Sequence, residues 1–113
     1  MAKFMSRGSS PSVTRAVKRI DSAPEKHVSL AELAALSGVS RFQLLRAFSR
    51  EVGITPHAYL IQRRVLLAQR FLADGQTPAQ AAIQAGFSDQ SHMTRAFVRQ
   101  VGVTPGCYSA AVA

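Results

Sequence analysis

The chain has 113 residues and a mass of 12.2 kDa, which suits one compact domain or two very small units sharing a core or a stiff connector. It is 47% hydrophobic with only seven glycines and five prolines, so most of it should fold, and its alanine- and leucine-rich stretches favour helix. A formal charge of +8, with a pI near 11.1, points to a polyanionic partner, nucleic acid first and anionic lipid second; no apolar run approaches the roughly 20 residues of a membrane span.

In chain order, residues 1–11 read as a flexible tail or linker, without the apolar segment of a signal peptide. Ser10-Pro11 can cap a first helix, whose Val13, Ala16, Val17 and Ile20 keep helical spacing up to Ser22-Ala23-Pro24. SLAE at 29–32 is a capping box, with Val28 and Leu33 as its staple, and this second helix stops at Ser37-Gly38. SRFQ at 40–43 is another, stapled by Val39 and Leu44. The third helix carries Leu44, Ala47, Phe48 and Val52 on one face and ends at Gly53. Thr55-Pro56 opens a long fourth helix to about Ala73, closed by Asp74-Gly75. Thr77-Pro78 opens a fifth that ends at Ala85-Gly86. Ser88 or Asp89 caps a sixth, with Met93, Phe97 and Val101 on one face. Thr104-Pro105 starts a short last helix through Tyr108.

One phrase occurs twice. RAFSREVGITP at 46–56 and RAFVRQVGVTP at 95–105 agree at eight of eleven positions, offset by 49, and Tyr59 and Tyr108 follow at the same distance. Upstream, Ala34 and Ala82 each precede a glycine by four residues. Each copy is a helix, a short glycine turn and a second helix, which is a helix-turn-helix. The expected architecture is all-α, about seven helices. Two helix-turn-helix subdomains, 12–55 and 74–110, are joined by a linker helix at 56–73.

Such a unit lays its second helix in the major groove of DNA, so helices at about 40–52 and 89–101 are the candidate readers. In the first, the outward stripe is Phe42, Leu45, Arg46 and Ser49. In the second, Gln90, Ser91 and His92 come early and Arg95 lies one turn on. Gln and Arg suit adenine and guanine edges. An 18-residue connector is roughly 27 Å long, against about 34 Å between successive major grooves on one face of DNA. It carries Arg63, Arg64 and Arg70 with no acid between Glu51 and Asp74, and these arginines serve either phosphate contact or solvation. Phe48, Phe97, Leu33, Leu44, Ile83 and Met93 are core by spacing.

The strings SLAELAALSGVSRFQLLRAF and AAIQAGFSDQSHMTRAF, the second followed by GVTP and a tyrosine, resemble the AraC/XylS family of transcriptional regulators over about residues 12–110. The resemblance implies sequence-specific promoter binding, more often activating than repressing. Carried over by position, it implies base contacts from Arg41, Phe42, Leu45 and Arg46, and from Gln90, Ser91, His92 and Arg95. Leu45 departs from the family pattern, standing where glutamine is frequent, and Phe42 where some members carry tryptophan. Leu45 is either packed away or in weak contact with a thymine methyl. Phosphate contacts are expected from Ser29, Ser40, Ser49, Arg50, Arg63, Thr77 and Arg99, several of them at helix N-termini. The expected partners are double-stranded promoter DNA and RNA polymerase, in the cytoplasm. An effector-binding or dimerisation domain is expected to lie outside this chain.

Other classes fit less well. His27, His57 and His92 are scattered, and none pairs with Cys107 or a carboxylate at metal-ligand spacing, so no enzyme, metal or cofactor is expected. Cys107 reads as a buried small hydrophobe, and a lone cysteine agrees with a reducing setting. The alternative is a helical protein-interaction or RNA-binding module. RNA readers rely on exposed stacking aromatics, and here only Phe42 stands out as one.

Overall fold

The structure, a computed structural model, describes residues 9–113, so the first eight residues of the expected tail lie outside the described residues. The described residues form seven α-helices: α1 (Pro11–Ser22), α2 (Leu30–Ser37), α3 (Arg41–Val52), α4 (Pro56–Ala73), α5 (Pro78–Gln84), α6 (Gln90–Val101) and α7 (Pro105–Val112).

The caps are those the sequence spells. Ser29, Ser40 and Thr77 each accept from the main chain three residues on, while Glu32, Gln43 and Gln80 reach back to the cap N–H, making three complete capping boxes. Of the two candidates before α6, Asp89 is the cap: its Oδ1 accepts from the His92 N–H at 2.7 Å. The αL residue that ends α3 is Gly53, and its repeat partner Gly102 ends α6 with nearly the same φ, 95° and 93°. The last helix continues one turn past Tyr108, to Val112.

The helices pack as two units. Among the described residues, the first comprises 9–23 together with His27–Leu60; the second comprises Pro24–Lys26 and Ile61–Ala113. In the first, Val13, Val17 and Ile20 of α1 meet Leu33 of α2, Leu44 and Phe48 of α3, and Tyr59 and Leu60 from the start of α4. Phe48 is fully buried, and removing such a side chain from water is worth about 1.5–3 kcal/mol. In the second, Val65, Ala68 and Leu72 of α4 meet Ala81, Ala82 and Ala85, then Phe87, Met93 and Phe97.

Three expectations are corrected. Ile83 is 66% exposed, because α5 buries the small stripe Ala81, Ala82 and Ala85 and Ile83 points away from it. Cys107 is exposed on the first turn of α7. Arg64 is neither solvated nor open to phosphate; it is buried at 8% exposure, with Nε donating to the Pro24 carbonyl at 2.7 Å.

Candidate nucleic-acid interface

In each unit the second helix of the helix-turn-helix is anchored from below and open above. Leu44 and Phe48 hold α3 in its core, while Arg41, Phe42, Gln43, Arg46 and Arg50 are exposed. Phe42 is 65% exposed and the Arg46 guanidinium lies over its ring, 5.2 Å from the centroid, a cation–π arrangement that limits where Arg46 can point. With Gln43, Ala47 and Arg50 these two side chains line one shallow hollow. Ser49 is half-buried at its side.

On α6 the anchors are Met93, Ala96 and Phe97, and the exposed side chains include Gln90, Ser91, Arg95 and Arg99. Gln90, Ser91 and Arg95 share a hollow with Thr94, which the sequence reading did not pick out. The 49-residue offset could have found it, since Thr94 is the counterpart of Leu45. His92 lies away from that hollow. Its ring meets Phe87 edge-on at 5.1 Å and its Nδ1 is 3.3 Å from Ser88 Oγ, so the imidazole buttresses the turn before the helix.

Leu45 is 37% exposed and turns from the Phe42–Arg46 hollow into another one, lined by Val28, Leu30, Leu33, Pro56 and Leu60. His27, Ser29, Thr55 and His57 complete its lining. The hydroxyls of Ser29, Ser40 and Thr77 accept from Glu32, Gln43 and Gln80 main-chain N–H groups at 3.0–3.2 Å. Each hydroxyl still has its proton to donate. Arg63 is half-buried on α4, and Arg70 is exposed.

The open faces of α3 and α6 carry more arginines than acids. The one acid on α3, Glu51, accepts from the Ser10 N–H at 2.8 Å and is thereby turned to the start of α1. No acid follows Asp89 in the sequence. Among the described residues no cluster of His, Cys, Asp or Glu could hold a metal ion, and no helix is long and apolar enough to cross a membrane.

A family model described as a helix-turn-helix domain matches residues 33–111. Over nearly its whole length the chain also superposes on an AraC-type transcriptional regulator from Chromobacterium violaceum, with a TM-score of 0.85 and 30% identity over 94% of this chain and 96% of that one. This chain belongs to the AraC-type helix-turn-helix family. It is likewise similar to the DNA-binding domain of AdpA, a global transcriptional factor solved in complex with a target DNA. There the TM-score is 0.83 at 30% identity, over 90% of this chain and 93% of that one. In sequence it is 44% identical over 87 residues to the uncharacterized HTH-type transcriptional regulator YbfI of Bacillus subtilis, covering 74% of this chain and 32% of that protein. The chain spans about a third or less of the curated relatives it matches. The AraC-type family is one of DNA-binding domains of transcriptional regulators, not of enzymes.

Proposed function

We propose that the chain binds promoter DNA sequence-specifically by inserting α3 and α6 into successive major grooves. The observation that carries this reading is the duplicated face: Arg46 and Arg50 on α3, and Arg95 and Arg99 on α6, stand exposed at the same offset over buried Phe48 and Phe97. Arg46, braced by Phe42, and Arg95 in the Gln90–Ser91–Thr94 hollow are assigned to base edges, where an Arg fork reads guanine. Arg41 lies at the entry of α3 and also reaches bases. Ser29, Ser40, Thr77, Ser49, Arg50, Arg63 and Arg99 are assigned to phosphates. His92 is assigned to the turn and Leu45 to packing, because each side chain is engaged away from the hollow of its own helix.

The 18-residue helix α4 supports the two-groove geometry: at 1.5 Å per residue it is roughly 27 Å long. The whole protein is proposed to be a cytoplasmic transcriptional activator that works with RNA polymerase.

The test is duplex binding followed by anisotropy across a salt series. Log K should fall steeply with log salt, by about 0.9 for each phosphate neutralised. A shallow dependence, or equal affinity for single-stranded RNA, would contradict the proposal.

A further inference from the structure

The three residues Pro24–Lys26 lie in sequence between α1 and α2, yet they pack with the second unit. Two contacts hold them there. From α4, the buried Arg64 donates Nε to the Pro24 carbonyl at 2.7 Å. Burial pushes this guanidinium below its ordinary pKa, and the Glu25 carboxylate pulls it back up. From the turn between α5 and α6, Gly86 meets the Glu25 main chain so closely that a Cβ would stand 2.5 Å from its carbonyl oxygen and 2.8 Å from its Cα. Those are backbone atoms, which cannot swing aside, and Gly86 has φ +95° besides.

The other copy of the repeat has no such contact. Gly38, the counterpart of Gly86, has nothing within 4 Å of its Cβ position. The turn leading to α6 is therefore overlaid by a strap of main chain, and the turn leading to α3 is not. Directly after Gly86 come the buried Phe87 and the α6 cap Asp89, so whatever fixes this turn also aims α6.

We propose that Arg64 is a positioning residue for α6: through Pro24–Lys26 it clamps the Gly86 turn and sets the aim of the second reading helix, and it is not a phosphate ligand. This rests on the DNA-binding reading above.

The test uses the full chain and two readouts. In Arg64→Met, which keeps an unbranched stem without donor or charge, tryptic cleavage after Lys26 should accelerate while cleavage after Arg41 does not. Affinity for the cognate duplex should fall roughly tenfold, the equivalent of one charged hydrogen bond. The loss should be confined to discrimination within the base-pair block under α6, with the salt slope unchanged. Gly86→Ala, which alters no charge, should show the same pattern. Equal weakening on cognate and random duplex, with the slope reduced by about 0.9, would make Arg64 a phosphate contact and overturn the proposal. So would rapid cleavage after Lys26 in the unaltered protein, a result that does not depend on any variant folding. Protected Lys26 in a chain that binds no duplex would refute the DNA reading while upholding the clamp on the turn.

Discussion

Phe48 and Tyr59 meet edge to face, their ring centroids 5.8 Å apart and their planes at 67°. The repeat reproduces the contact: Phe97 and Tyr108 meet at 5.5 Å and 67°. This gives the duplicated phrase its physical meaning. The phenylalanine anchors a reading helix, the glycine ends it, and the Thr-Pro cap starts the next helix so that the tyrosine one turn on lands against that phenylalanine. Each such pair adds about 0.5–1.5 kcal/mol beyond burial. The repeated segment is thus a clamp on the C-terminal end of each reading helix.

The first clamp has a further tie, from Tyr59 Oη to Asp21 Oδ1 at 2.6 Å. Tyr59→Phe keeps the ring pair and removes this hydrogen bond to a carboxylate, so it should destabilise the chain by roughly 1.5–3 kcal/mol. Urea unfolding monitored by circular dichroism reads this as a lower midpoint at unchanged slope. A midpoint equal to that of the unaltered protein would show that the bond contributes nothing.

Most of the fold was legible because its signals are local. Capping boxes, Thr-Pro starts and glycine stops are set by neighbouring residues, and the seven helices follow them. The errors lie where tertiary packing decides. Ile83 kept a core spacing, but α5 turned its alanine stripe inward. Arg64 looked like every other arginine of α4 until the 40-residue bond to Pro24 gave it a buried partner.

Leu45 borders Leu30, Leu33 and Leu60, so Leu45→Ala should act on stability more than on reading. The expected cost is about 1–2 kcal/mol, less than for a fully buried leucine, since the site is 37% exposed. Base preference under α3, measured with a panel of single-base-pair variants, should be unchanged. A selective loss at one A·T pair would make Leu45 a methyl reader instead.

Arg95 and Arg99 lie one turn apart on α6 and should separate cleanly. Arg95→Ala should cost roughly 1–3 kcal/mol at the cognate site and relax one position. Arg99→Ala should weaken cognate and random duplexes alike and reduce the salt slope by about 0.9. Exchange of these two signatures would reverse the assignment of base and phosphate contacts.

Glu32 gives the α2 cap an acid dependence. The Ser29 main-chain N–H, then its hydroxyl, hold the Glu32 carboxyl below the ordinary glutamate pKa. A depressed carboxyl contributes its stabilisation in full above the ordinary value and loses it as pH falls through the lower, folded-state value. Amide exchange in the first turn of α2 should therefore become faster, after correction for intrinsic rates, only below the ordinary glutamate range. Glu32→Gln keeps an acceptor and should abolish the pH dependence; if the acid-induced loosening persists in that variant, it originates elsewhere.

The most direct test of two reading helices in one chain is selection from a random duplex pool at ~150 mM salt, where non-specific binding is weak. Two enriched blocks are expected, with centres one helical turn apart, and Arg95→Ala should blur only one of them. A single block, or enrichment of nothing by a folded protein, would contradict the claim that both copies of the repeat read DNA.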